Sequence, residues 1–102
     1  MTGNKQKILD IAMNLNRIGN WAADDYLGKR KRIQTFISNT SNYIETLDSS
    51  SFRTPFKDTL KDFLRHYKQL ESEGLEGPKD SIDWAEKMMT WGNILTHRSK
   101  LI

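Results

Sequence analysis

Apolar residues recur along this chain at alternating steps of three and four, the spacing that places side chains on one face of an α-helix. The two clearest runs lie in the second half of the sequence. They are Phe56, Leu60, Phe63, Tyr67 and Leu70 in one segment and Trp84, Met88, Trp91 and Leu95 in the other. Two such faces bury each other when their segments pack as an antiparallel pair. The pattern therefore predicts an all-α fold with these residues in its core.

The first half of the chain is predicted to form two helices. The first runs from Asn4 to Ile18, because Gly19 is suited to close a helix and Asn20 is suited to cap the next one. The apolar pattern nearly continues past Gly19 to Ala22 and Tyr26. One unbroken helix through Gly19 is therefore the alternative.

The second predicted helix extends from Trp21 to about Leu47 and is the longest element. It contains five consecutive poor helix formers at residues 38–42, so it either breaks there or is held by packing. The third helix is expected to start with Thr54 as N-cap and Pro55 in the first helical position.

The third helix is predicted to end near Gly74, and a turn over residues 74–78 precedes the fourth. Asp80 or Ser81 caps that last helix, which extends through Lys100. Four helices joined by short connections favour an antiparallel, up-down-up-down four-helix bundle. At 102 residues, the chain is predicted to be a single helical domain, 1–102.

Composition narrows the chemistry that this fold can carry. Valine is absent and the mean hydropathy is −0.71, which agrees with a helical protein with a very polar exterior. Without cysteine there is no disulfide, thiolate metal site or cysteine nucleophile. The sequence has neither a signal-peptide pattern nor an apolar run of membrane-spanning length. A cytoplasmic location without membrane contact is expected.

The sequence contains three candidate chemical sites, and two of them are better explained as ordinary exposed helix surface. Asp58, Asp62 and His66 fall on one side of the third helix, but lysines and arginines interleave them and no second ligand pair completes a metal shell. His97 lies where positive charge stabilises a helix C-terminus. The sequence therefore predicts no metal, no cofactor and no enzymatic activity.

The third candidate is the basic run Lys29–Arg32, which suits contact with phosphate or with an acidic partner. Four consecutive helical residues spread over about 300 degrees, so the run forms a collar around the helix. Asp24 and Asp25 cancel part of its charge. A salt-bridged solvent face is the simplest interpretation, ahead of protein and nucleic-acid contact.

Apolar residues outside the core faces indicate a partner surface. Trp21 either staples the corner between two helices or stands partly exposed as an anchor. The leading hypothesis is a small intracellular, non-enzymatic adaptor or regulator that binds a protein partner, which could be a second copy of the chain. The alternative is a nucleic-acid-associated regulator that uses residues 29–32. The predicted partner-binding residues are Leu9, Met13, Trp21, Arg30, Lys31, Arg32 and Met89.

Overall fold

The computed structural model describes residues 3–102, which form three α-helices and two short 3-10 turns. The helices are α1 (Asn4–Glu45), α2 (Phe56–Glu76) and α3 (Ser81–Arg98), and the turns are Ser49–Ser51 and Ser99–Leu101. The all-helical prediction is confirmed. The predicted four-helix bundle is not, since this part of the chain contains three helices.

Helix α1 doubles back on itself at Asp25, whose backbone is extended at φ −162° and ψ 85°. A straight helix of its 42 residues would be about 60 Å long, whereas the longest dimension of the molecule is 39 Å. The bend divides α1 into a first arm, residues 4–24, and a second arm, residues 26–45. Asp25 is the single non-helical residue between them.

Contacts between the two arms show that they run antiparallel. The Tyr43 hydroxyl donates a hydrogen bond to the Asp10 carboxylate over 3.0 Å. Nearer the bend, the rings of Trp21 and Phe36 meet edge to face with centroids 4.9 Å apart. Residues farther before the bend therefore pair with residues farther after it, as in a helical hairpin.

The predicted break at Gly19 and Asn20 is wrong, because α1 is helical through both residues. Gly19 serves close packing instead. A Cβ atom added there would lie 2.5 Å from Met89 Cγ and 3.0 Å from the carbonyl oxygen of Ala85. The lack of a side chain at Gly19 thus lets the first arm approach α3 closely.

The first arm and α3 also run antiparallel. Gly92 lies opposite Asn16, and a Cβ added to Gly92 would fall 2.8 Å from the Asn16 amide nitrogen. Since Gly19 faces Ala85 and Asn16 faces Gly92, the two segments pass each other in opposite directions. The contact between α1 and α3 is the most extensive between any two helices of the described chain.

The weak segment at residues 38–42 remains helical. Thr40 donates its hydroxyl proton to the carbonyl one turn earlier, over 2.7 Å. The Ser41 hydroxyl lies 2.9 Å from the Tyr67 hydroxyl and also hydrogen-bonds Glu71 on α2. The burial of Thr40 and the hydrogen bonds of Ser41 to α2 therefore override the low helix propensity of these residues.

The start of α2 differs by one residue from the prediction, and its end by about two. Pro55 precedes the first helical residue, Phe56, so neither Thr54 as N-cap nor Pro55 as first helical residue is correct. The helix continues to Glu76 and ends at Gly77, whose φ of 107° is accessible to glycine at little cost.

The start of α3 is as predicted, since Asp80 caps it by accepting a hydrogen bond from the Asp83 backbone amide at 3.0 Å. The helix ends at Arg98, and a 3-10 turn contains Lys100. Gly74, predicted as the end of the preceding helix, is buried against the Trp84 ring.

The core lies between the two arms of α1, α2 and α3 and forms one cluster. Both predicted apolar runs supply it, with one exception: Trp91 is only half-buried. Trp84 is 1% exposed, and its indole nitrogen donates to the Leu70 carbonyl at 3.0 Å. The largest fully buried side chains are Trp84, Phe56, Phe63, Ile8, Ile11, Leu15, Ile18, Ile33, Ile37, Leu60, Met88 and Leu95.

The Gly19→Leu substitution tests the close approach of the first arm to α3. We expect it to lower the free energy of unfolding by about 1–3 kcal/mol, because an added side chain must displace Met89 and the α3 backbone. Urea unfolding followed by far-UV circular dichroism measures the change. Asn20→Leu, at the neighbouring exposed position, is the matched control. Equal stability of the two variants would contradict this packing.

Ionisation of the buried Tyr67 hydroxyl should lower the free energy of unfolding at alkaline pH. Burial raises its pKa from 10.0 to about 12, with the Glu71 charge adding to the rise and the Ser41 hydrogen bond opposing it. The unfolded side chain ionises near pH 10, so the stabilisation is present below that pH and is lost as pH rises to about 12. The loss expected between about pH 9 and about pH 11 is about 1.3 kcal/mol, half of the total, because the titration ends only above about pH 12.

Urea unfolding at about pH 9 and about pH 11 measures this loss. Tyr67→Phe should reduce the difference between the two pH values more than Tyr43→Phe, whose side chain is only half-buried. If the two variants lose stability equally between these pH values, Tyr67 is not the responsible group.

Candidate interaction site

A surface groove of about 580 Å³ follows the second arm of α1 immediately after the bend. The groove residues recur at steps of three and four, so they share one helix face. They are Gly28, Lys29, Lys31, Arg32, Thr35 and Phe36. The basic run therefore contributes three of its four cationic residues to one groove. The fourth, Arg30, lies outside the groove lining.

Two aromatic rings support the groove. Phe36 is half-buried in its lining, and Trp21 of the first arm packs edge-on against it. The Arg32 guanidinium carbon lies 5.2 Å from the centroid of the Trp21 ring, within the range of a cation–π interaction. Since Arg32 remains exposed, this contact restrains a guanidinium whose N–H groups stay accessible to an anion.

The cationic side chains of the groove differ in whether a neighbouring carboxylate pairs with them. Lys29 donates a hydrogen bond to the Asp24 carboxylate over 2.5 Å, and this bond lowers the pKa of Asp24. Part of the Lys29 charge is thereby neutralised. Lys31 and Arg32 are both exposed. An incoming anion would therefore meet these two side chains as the main source of positive charge.

Arg30 serves the fold rather than the groove. Its guanidinium donates to the Glu76 carbonyl over 3.2 Å, at the C-terminal end of α2. Gln34 makes a similar bond to the Leu75 carbonyl over 2.8 Å. Both side chains satisfy carbonyl groups that have no partner within the last turn of a helix. The collar predicted from residues 29–32 is thus divided between two roles.

The remaining predicted partner-binding residues lie outside the groove lining. On the first arm, Leu9 is half-buried and Met13 is 49% exposed. Met89 is half-buried against Gly19 and the core, so it offers less surface than its position off the main stripe suggested. Trp21 lies four residues before the bend, within the first arm, and not at a helix junction.

The sequence did not single out three of the groove residues, Gly28, Thr35 and Phe36. Of these, Phe36 lies at the boundary between core and groove. The available signal was an aromatic residue one helical turn after Arg32. That signal identifies a groove only together with Trp21, which lies on the other arm.

Two of the three candidate metal ligands of α2, Asp62 and His66, have structural partners. Asp62 forms an ion pair with Arg65. His66 Nδ1–H donates a hydrogen bond to the Asp62 carbonyl over 2.8 Å, and its ring packs against Trp91 at a tilt of 39° with centroids 5.2 Å apart. Within residues 3–102, no group of three acidic or histidine side chains is arranged to hold a metal ion.

Comparisons of the chain with protein-family models, curated proteins and solved structures give no match in any of the three. None of the helices in residues 3–102 combines the length and the hydropathy needed to cross a bilayer. The geometry of the groove is therefore the feature of the chain that points to a function.

The Arg32→Met substitution tests whether Arg32 is dispensable for the fold. We expect the free energy of unfolding to change by no more than about 1 kcal/mol, because the cation–π contact is exposed and the methionine stem still covers Trp21. Urea unfolding monitored by Trp fluorescence measures it. A loss of several kcal/mol would mean that Arg32 is a structural residue and would remove it from the site.

Proposed function

We propose that this protein is a small, non-enzymatic interaction module that binds an acidic segment of a protein partner in the groove between Gly28 and Phe36. The observation that carries the proposal is the restraint of the exposed Arg32 over Trp21, beside Lys31 in the same groove. A guanidinium fixed on an aromatic face loses little conformational freedom when it binds a carboxylate.

The chemistry of the groove supports a protein partner in two respects. Arginine is among the residues most enriched at the energetic centres of protein interfaces, and Arg32 of the groove is supported from outside the lining by Trp21. Its half-buried Phe36 also offers apolar surface to an aliphatic or aromatic side chain flanking the acidic residues. The lack of cysteine suits the proposed intracellular location.

We also infer that the two arms of α1 act as separate members of an up-down-up-down, four-helix arrangement. The antiparallel contacts between Asp10 and Tyr43 support this, as do those between Gly19 and Ala85. In that arrangement the groove lies on the second arm, which packs against the first arm through the contact of Phe36 with Trp21. Such a support favours recognition of a partner without large rearrangement.

Single-stranded nucleic acid is the second candidate ligand. The specific observation in its favour is the combination of cationic and aromatic side chains, which is how sequence-tolerant binding of single strands is achieved. The carboxylates of Asp24 and Asp25 next to the groove repel phosphates and peptide carboxylates alike, so they do not separate the two ligands. Against nucleic acid, the formal net charge of +3 is modest for that role.

Binding of two defined probes tests the proposal. Fluorescence anisotropy should show that the wild-type chain binds a labelled oligoglutamate peptide containing one tryptophan, and that it binds single-stranded oligothymidylate of the same length more weakly. Replacing Lys31 and Arg32 by alanine should weaken peptide binding at least about tenfold. The matched control replaces Lys61 and Arg65 on α2, which removes the same two charges from another exposed surface.

Three outcomes would contradict the proposal. Equal losses in the groove variant and the α2 control would show a response to net charge alone. The absence of peptide binding by the wild-type chain would contradict an acidic protein ligand. Tighter oligothymidylate binding that weakens steeply between about 0.05 M and about 0.3 M salt would instead establish the nucleic-acid candidate.

A further inference from the structure

The connection between the two arms of α1 is one residue long. Asp25 alone has non-helical backbone angles, and the residues on both sides of it are helical. Changing φ and ψ of this residue to helical values would join the arms into one continuous helix. No loop would have to be unfolded or rebuilt for that change. The bend is therefore a hinge in the geometric sense.

Two local interactions hold the hinge closed. The Asp25 carboxylate accepts a hydrogen bond from the Gly28 backbone amide over 3.0 Å, so Asp25 is the N-cap of the second arm. A Cβ atom at Gly28 would overlap this carboxylate in its present rotamer, so any larger residue there would displace the capping side chain from this position. The exposed ion pair between Asp24 and Lys29 adds a small contribution.

The contacts that hold the first arm in place do not depend on its covalent connection to the second. They are side-by-side contacts with the second arm and with α3, such as those of Asp10 with Tyr43 and Gly19 with Ala85. The first arm of a second copy presents the same surface. An identical set of contacts can therefore form between two chains as within one.

We propose that Asp25 is the hinge of a domain exchange, in which residues 4–24 of each of two chains pack onto the second arm, α2 and α3 of the other. In the exchanged dimer α1 is continuous over its 42 residues. The partner is a second copy of this chain, and the proposal is independent of the ligand of the groove.

Leu27 supports this choice of partner. It is 80% exposed, the highest value among the large hydrophobic residues of the described chain, and it lies two residues after the hinge. In an exchanged dimer the straightened hinge segments of two chains pass close to each other and form a new interface there. Leu27 would then be covered by the equivalent region of the other chain, which removes apolar surface from water.

Two substitutions should favour the dimer by different routes. Asp25→Ala removes the cap, which exists in the closed monomer and not in the continuous helix. The loss of the cap shifts the equilibrium between bent and straight α1 about fivefold toward the straight form in each chain. Since a dimer has two hinges, the dimerisation constant should rise about 25-fold. Gly28→Ala should act in the same direction, because its Cβ displaces the capping carboxylate and favours helix.

Matched controls separate hinge effects from changes of charge or from an added methyl group. Asp25→Asn retains a capping side chain, and Glu86→Ala removes an exposed carboxylate on α3, away from the hinge. Gly3→Ala introduces the same methyl group at a position with no atom within 4 Å. All three should dimerise within about threefold of the wild-type chain.

The experiment is size-exclusion chromatography with multi-angle light scattering, after each protein is unfolded and refolded at about 1 mM so that exchange can equilibrate. A crosslink identifies the exchange itself. Because the chain lacks cysteine, chains carrying Asp10→Cys can be refolded together with chains carrying Tyr43→Cys and treated with a short bismaleimide. A covalent dimer of the two different chains is expected, since these positions then face each other between chains.

Dimerisation of both hinge variants above their controls, with the mixed crosslink, supports the proposal. Folded hinge variants that remain monomeric at about 1 mM overturn it. A dimer without the mixed crosslink also overturns it, because that result identifies an ordinary surface contact. If neither hinge variant folds, the crosslink between chains carrying Asp10→Cys and chains carrying Tyr43→Cys, both otherwise wild-type, tests the proposal alone. The absence of that crosslink after refolding overturns it.

Discussion

The reversal of α1 at one capped residue is the constraint on which the rest of the structure depends. The Asp25 carboxylate binds the Gly28 amide and begins the second arm in a new direction. Without that turn, the apolar face of the first arm would extend into solvent, away from the second arm and α2. The burial of Ile8, Ile11 and Leu15 in the common core follows from the turn.

The candidate site depends on the same reversal. Trp21 belongs to the first arm, whereas Arg32 and Phe36 belong to the second, and the stack of guanidinium and rings forms only where the arms lie side by side. A linear basic run is thereby converted into a groove with an aromatic support. The structure also assigns Arg30 to the end of α2, so the number of adjacent positive charges overstates the charge available to a ligand.

The sequence predicted the helical class and most of the core because these depend on apolar spacing, which the chain displays without ambiguity. It failed at the bend because both Gly19 and Asp25 carry plausible boundary signals. Glycine serves either a helix end or a close helix contact, and only the position of Met89 and Ala85 on α3 shows that the second role applies. The groove was only partly predictable. Its basic residues are visible in the sequence, but the contact of Trp21 with Arg32 depends on tertiary packing, which the spacing along one helix does not show.

The distance between the free ends of the two arms tests the reversal most directly. Nitroxide labels on cysteines introduced at the exposed residues Lys5 and Glu45, measured by double electron–electron resonance in dilute monomer, report it. The structure predicts a distance well within the 39 Å length of the molecule, because Asp10 contacts Tyr43. A distance of about 60 Å would mean that α1 is straight and would contradict the account.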